Sequence, residues 1–166
     1  GPIGCLSVLA ARHAGAAQIL ATDLSDYTLK MALICGADLA FNTLTAPSAL
    51  QPYQAEKGQI DIHLECSGAA SALAAGIACL RPSGTLVQLG LGGDMNVPMQ
   101  AITAKEITLR GSFRFHAEFG VAVALMQEGA IVVDPLITHS FGMDALTEAF
   151  ETATDRSQAM KVQLRF

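Results

Sequence analysis

Along this chain, short apolar or alternating runs of strand size trade places with longer runs of helical size. Pro2–His13 reads as a helix: proline in the first turn forfeits no hydrogen bond, and Gly15 is a natural left-handed stop. Residues 18–23 (QILATD) read as a strand, after which Ser25 caps a helix running to Ile34 and ended by Gly36. Residues 38–41 form a short strand. Residues 42–58, with Pro47 and Pro52 among small polar residues, read as loop with at most a short helix. Residues 59–66 alternate as a strand, residues 68–80 form an alanine-rich helix, and Arg81-Pro82-Ser83-Gly84 reads as the turn that closes it. A strand at 85–90 is followed by the loop LGGDMNVP, a short helix and a strand at 106–113. Glu118–Gln127 is a helix stopped by Gly129, and the tail gives a strand (136–139), a helix (143–154) and a last strand (162–166). Strands separated by helices of this size predict βαβ units and a parallel sheet, with no internal repeat.

Composition narrows the class. With 51% hydrophobic and 15% charged residues, the chain lies well above the disorder boundary, and 166 residues suffice for a domain with a substantial core. No apolar run is long enough to cross a bilayer, and no charged-then-apolar signal leads the chain, so a membrane is not an expected partner. A net charge of -5 without any Lys/Arg cluster argues against nucleic acid. Cys5, Cys35, Cys66 and Cys79 are widely scattered without a C-x-x-C pair, and read as buried reduced thiols of a cytoplasmic protein.

The candidate chemistry begins at the first residue. Gly1-Pro2-Ile3-Gly4 matches the second half of G-x-G-x-x-G, in which the middle glycine lets backbone approach a pyrophosphate and the last permits close helix–strand packing. The helix N-terminus behind it offers free N–H groups and a partial positive charge. Asp23 ends the next strand, 19 positions after Gly4, where an acid is expected to bind the adenosine ribose hydroxyls. An acid there repels a 2′-phosphate, which favours NAD, with NADP as the alternative. Two later strand ends, Cys66-Ser67-Gly68 and Gly90-Leu91-Gly92, are expected at the same crevice, their small residues leaving room for the adenosine and nicotinamide halves. A Rossmann-like methyltransferase also pairs a glycine turn with a strand-end acid, although the segments after Thr85 do not favour it.

With TDLSDYTLKMALICGAD, DIHLECSG, GTLVQLGLGGDMNVP and KEITLRGSFRF in this order, the chain resembles the medium-chain dehydrogenase/reductases. Within them it is similar to the zinc-dependent polyol branch that includes the sorbitol dehydrogenases, and most of all to the branch members acting on the sugar acid L-idonate. The resemblance implies an α/β fold: a doubly wound Rossmann sheet whose first strand is absent from this chain. It also implies a domain division, with 1–130 as the NAD-binding domain and 131–166 as a tail returning to a GroES-like catalytic domain that carries the zinc ligands. No metal ligand can be assigned to a residue here, so the isolated chain is expected to be inactive, and the glycine turn to bind NAD once its missing first strand is present. A dinucleotide-binding module without chemistry of its own is the alternative. By the same resemblance, Gly90, Leu91 and Phe113 line the nicotinamide end, with Gly1, Pro2, Ile3, Gly4, Asp23, Cys66 and Ser67 as the other cofactor contacts. Arg114 is the expected substrate contact, pairing with a sugar-acid carboxylate. Family members associate as homo-oligomers, with residues 106–112 as the candidate edge.

Other polar residues have plainer readings. His13 is expected to cap helix carbonyls, His63 to be hydrogen-bonded in the sheet, and His139 to be structural. Glu65 is expected to orient the turn that follows it. Without a strand before Gly1, residues 18–23 and 59–66 should flank a gap, close on one another or be bridged by another chain, and no complete six-stranded sheet should form.

Overall fold

Seven strands alternate with seven helices in the computed structural model, which describes residues 1–166. In chain order they are α1 (Pro2–His13), β1 (Leu20–Asp23), α2 (Asp26–Ile34), β2 (Leu39–Asn42), α3 (Gln51–Gln54), β3 (Ile60–Glu65) and α4 (Ala70–Cys79). These are followed by β4 (Leu80–Gln88), α5 (Met99–Ala104), β5 (Thr108–Gly111), α6 (Glu118–Gln127), β6 (Ile137–Gly142), α7 (Leu146–Thr154) and β7 (Lys161–Arg165). The chain divides into two compact units. Gly1–Ala46 joins Phe115–Phe166 in the first, and Pro47–Arg114 forms the second.

In the first unit, β1 and β2 form a two-stranded parallel ladder, Leu20 opposite Leu39 through Asp23 opposite Asn42. Ser25 caps α2 as its position before an apolar run predicts, its hydroxyl accepting from the Thr28 N–H. Arg12, rather than His13, secures the end of α1. Its guanidinium donates to the Ala16 and Gly36 carbonyls and pairs with Asp38 at 2.6 Å. The Asp38 carboxylate also accepts from Ile19 N–H, which with Arg12 holds it below the usual carboxylate range. The core beneath α1 contains Cys5, Val8, Met31 and Cys35, together with Leu136 and Met160 from the C-terminal segment. Burial pushes the Cys5 thiol up to about 11, with the neighbouring Cys35 adding to the rise. The tail folds as its pattern predicts, β6 and β7 pairing in parallel.

In the second unit, β3, β4 and β5 form a parallel ladder in that order. Its core is built from Leu73 and Ile77 of α4, Leu80 and Leu86 of β4, and Ile102 and Ile107. The loop expected at 42–58 does hold a short helix, α3, followed by a single 3₁₀ turn. The expected turn Arg81-Pro82-Ser83-Gly84 is corrected: these residues stay within β4 as a bulge. Pairing steps from Ile60 opposite Leu80 directly to Ile62 opposite Thr85, so the four turn-forming residues bow outward between two ladder segments. Ser83 takes φ 58° there, and its N–H donates to the Lys105 carbonyl at 2.7 Å. The Lys105 ammonium in turn donates to the carbonyls of Ile77, Ala78 and Leu80, satisfying the C-terminal end of α4.

No six-stranded sheet forms. β1 pairs with β2 alone and β3 with β4 alone, so each has one edge outside any ladder. The two parallel ladders have the strand orders of the two wings of a doubly wound sheet.

Candidate dinucleotide site

The first unit brings together the glycine turn and the strand-end acid. The Gly1 amino nitrogen lies 3.1 Å from Asp23 Oδ2. Asp23 Oδ1 is held by the N–H groups of Leu24 and Ser25 at 2.8 and 3.0 Å, which fixes the carboxylate so that Oδ2 faces the start of α1. That helix has Gly1 at its N-cap, Pro2 in its first turn and no side-chain cap, so its leading N–H groups have no side-chain acceptor. A Cβ at Gly1 or Gly4 would meet no protein atom within 4 Å. Gly1 faces open space, as backbone approach to a pyrophosphate requires, whereas Gly4, expected to pack against a strand, meets none. Ile3 is half exposed beside them.

The turns that follow β3 and β4 in the second unit pack against each other, backbone to backbone. A Cβ on Gly90 would lie 2.1 Å from Gly68 N, one on Gly92 1.9 Å from Gly68 O, and one on Gly68 2.6 Å from the Leu91 carbonyl carbon. These glycines serve close approach between two turns, and Gly90 and Gly92 also border a cavity. Gly68 also adopts φ +73°, a conformation open to glycine.

Glu65 organises this contact. It is 2% exposed and accepts from the Ser67 N–H (2.9 Å), the Ser67 hydroxyl, the Gly68 N–H (2.8 Å) and Gln88 Nε2 (2.7 Å). Burial alone would raise its carboxyl; these bonds outweigh burial and hold it below the ordinary value. The Ser67 hydroxyl is thus committed to the turn, and it accepts from the Ala69 N–H as well. Cys66 is half-buried, and its thiol donates to the Leu64 carbonyl.

A cavity of about 440 Å³ opens beside these turns, walled by Leu73, Leu91, Met95, Val97, Leu109 and the glycines at 90, 92, 93 and 111. Gln88 is the one polar side chain on its wall, and Gln88 Oε1 is buried without a hydrogen-bond partner. Of the residues expected at the nicotinamide end, Gly90 and Leu91 line this cavity. Phe113 and Arg114 do not. They are exposed, with the guanidinium carbon stacked 4.4 Å from the Phe113 ring centre, and Arg114 makes no ion pair.

Gln88 was not among the residues singled out from sequence. The available signal was a lone amide in the apolar strand TLVQLG, and only the register that sets Glu65 opposite Gln88 reveals its partner. His63 corrects its expectation. It packs against α4 at Gly76, where a Cβ would meet Nε2 at 2.2 Å, and its Nε2 is buried without a hydrogen bond. His139 sits in β6 with Nδ1 3.0 Å from the Thr138 hydroxyl, stacked on Phe141. Cys5, Cys35 and Cys79 are buried, and the four cysteines form no disulfide. No helix is long and apolar enough to cross a membrane.

Parallel βαβ ladders, a glycine turn opening a helix, and a strand-end acid locked beside that turn define a Rossmann-type cofactor-binding fold. The sequence profile described as zinc-binding dehydrogenase matches residues 2–128, and the chain belongs to that family. It is 41% identical to the L-idonate 5-dehydrogenase (NAD(P)(+)) of Escherichia coli K12 over 100% of its own length and 48% of that protein's. It is 35% identical to human sorbitol dehydrogenase over 99% of this chain and 47% of that one. The chain therefore spans about half the length of the curated relatives it matches. Among solved structures, the E. coli L-idonate 5-dehydrogenase superposes with a TM-score of 0.95 over all of this chain and 48% of the other, at 41% identity. A short chain alcohol dehydrogenase of E. coli CFT073, complexed with the cofactor NADH, superposes with a TM-score of 0.87 over all of this chain and 50% of the other, at 25% identity.

In the first unit, the residues present fit the pyrophosphate and ribose of a dinucleotide: an open glycine turn and a fixed acid. They do not fit zinc, because no three His, Cys, Asp or Glu side chains gather where they could hold a metal ion. No step is assigned to a metal in this chain.

Proposed function

We propose that this chain is the cofactor-binding part of a zinc-type dehydrogenase that moves a hydride between a nicotinamide dinucleotide and a secondary hydroxyl of a sugar acid or polyol, L-idonate being the leading substrate. In this reading residues 1–130 bind the dinucleotide and 131–166 are the tail of the catalytic domain. The complete enzyme is a cytoplasmic homo-oligomer. The observation that carries the reading is the Asp23 carboxylate at the end of β1, held through Oδ1 by the Leu24 and Ser25 N–H groups, one strand after the Gly1–Gly4 turn. Gly1, Pro2, Ile3 and Gly4 receive the pyrophosphate, and Asp23 accepts from the adenosine ribose hydroxyls. Cys66, Ser67, Gly90, Leu91 and Phe113 flank the rest of the cofactor. The bound nicotinamide supplies hydride transfer; the chain supplies orientation and an apolar wall. Arg114, whose guanidinium stacks on the Phe113 ring, is the partner of the substrate carboxylate in this reading.

Calorimetric titration of the chain with NADH, NADPH and S-adenosylmethionine tests the reading, alongside Asp23→Asn. Asparagine keeps an oxygen for the Leu24 and Ser25 N–H groups but withdraws the charge from the ribose. NADH affinity should fall by about tenfold, the worth of one charge-assisted hydrogen bond. NADPH should lose less, because repulsion of its 2′-phosphate is relieved. Unchanged NADH affinity in the variant, or binding of S-adenosylmethionine alone, overturns the assignment. A dinucleotide-binding module without chemistry of its own is the second reading. Turnover of L-idonate by the chain would exclude it.

A further inference from the structure

We propose that Asn42 is the positioning residue for the Asp23 carboxylate, holding from the end of β2 the peptide unit whose N–H fixes Asp23 Oδ1. The role rests on the ribose assignment above and deepens it, and every group involved lies within Gly1–Ala46 of the first unit.

β1 and β2 end side by side, Asp23 opposite Asn42, with the Thr43 N–H donating to the Asp23 carbonyl at 3.1 Å. The Asn42 amide is fully bonded. Its Nδ2 donates to the Leu24 carbonyl at 3.3 Å and to Asp26 Oδ1 at 2.6 Å. Its Oδ1 accepts from the N–H groups of Leu44 at 3.0 Å and Thr45 at 3.3 Å. Turning the amide over would set its oxygen against a carbonyl and a carboxylate, and its NH₂ against two donors, so the neighbours force one orientation.

The Leu24 carbonyl and the Ser25 N–H are the two ends of a single peptide unit. That unit is trans and planar, so the two bonds point in opposite directions. The N–H donates to Asp23 Oδ1 at 3.0 Å while the carbonyl is held by Asn42. Asn42 thereby sets the plane that aims the Ser25 N–H, and its second donor ties the same loop to the first turn of α2 through Asp26. With Oδ1 taken by Leu24 and Ser25, Oδ2, whose one partner is the Gly1 amino group, is the oxygen left for a ribose hydroxyl. A carboxylate held in advance escapes the ordering cost that a loose one meets on binding.

The test compares, by calorimetry on the chain, the affinities of NADH and of its analogue built on 2′-deoxyadenosine. Their ratio isolates the bond between the 2′-hydroxyl and Asp23. The parent should prefer NADH by about tenfold, the worth of one hydrogen bond to a charged acceptor. Asn42→Asp keeps an oxygen for Leu44 and Thr45 but turns the other against the Leu24 carbonyl and Asp26, and the preference should shrink to within about threefold of unity. Adding Asp26→Asn returns a donor to the α2 contact but none to the Leu24 carbonyl, so the thermal midpoint should recover while the preference stays small. In an Asp23→Asn background, Asn42→Asp should reduce the preference no further. A preference near the parent's in Asn42→Asp overturns the role. So does one that returns with Asp26→Asn, or a further loss in the Asp23→Asn background. Dinucleotide binding stands in each of those outcomes; absence of any dinucleotide binding by the chain removes the underlying reading with it. If Asn42→Asp does not fold, the unmodified chain decides. The Asn42 side-chain amide signals of the ¹⁵N-labelled protein should shift more with NADH than with the deoxy analogue, and equal shifts overturn the role.

Discussion

Replacing Glu65 by Gln tests whether the two turns depend on a buried carboxylate. Four hydrogen bonds converge on its two oxygens, from Ser67 N–H, the Ser67 hydroxyl, Gly68 N–H and Gln88 Nε2. A glutamine keeps one oxygen but turns an NH₂ toward donors, so at least one of Gly68 N–H and Gln88 Nε2, or the Ser67 pair, loses its acceptor. Leaving a buried donor unsatisfied beside a second donor costs about 2–4 kcal/mol. For a chain of this size that lowers the thermal midpoint by on the order of 10 °C. The acid profile adds a second readout. The folded carboxyl lies below its ordinary value of 4.5, so the stabilisation is complete above that value and is lost as pH falls below it toward the folded value. Urea denaturation of the chain and the variant, across pH values on both sides of 4.5, should show the two curves converging at the acid end. A variant within about 0.5 kcal/mol of the parent at neutral pH, well short of the cost of one orphaned donor, would refute the reasoning.

Two glycines should part company when changed to alanine. Gly1→Ala meets no protein atom within 4 Å and should leave the thermal midpoint unchanged while weakening NADH by about tenfold, whereas Gly68→Ala, at φ +73° and 2.6 Å from Leu91, should cost about 3 kcal/mol of stability. The reverse pattern in thermal melts and titrations would contradict both assignments. Burial lowers the His63 imidazole from its ordinary 6.5, against an opposing pull from Glu65. The neutral form is thus favoured by folding, and stability should decline as pH falls below 6.5. His63→Phe should flatten that decline, measured as denaturation midpoint against pH, and an unaltered slope would place the titration elsewhere.

Elements set by local chemistry were readable from the residues. α2 begins at Ser25 because its hydroxyl reaches Thr28 N–H, and α6 stops at Gly129, which takes φ +71°. Arg81-Pro82-Ser83-Gly84 shows where that ends. The same residues suit a turn or a bulge, and the choice falls to two distant partners, the Lys105 carbonyl and the β3 ladder. The glycine turn and Asp23 were legible as a pair because a fixed sequence interval carries them. That Gly68, Gly90 and Gly92 bring two turns into contact was not legible, since nothing in a sequence shows that two turns will touch. Gln88 and His63 differ from their surroundings in polarity, yet which of their atoms lacks a partner emerges only from packing.

The division of the chain has a consequence in time. Pro47–Arg114 is continuous, so every contact of that unit is available once its last residue has been made. The other unit is assembled from both ends of the sequence, with Leu136 and Met160 closing the core around Cys5 and Val8. During vectorial synthesis the first segment therefore waits, its apolar side uncovered, while more than a hundred residues are added. The inserted unit is expected to mature early and the outer one last, which makes Gly1–Ala46 the segment most dependent on a chaperone in the interval.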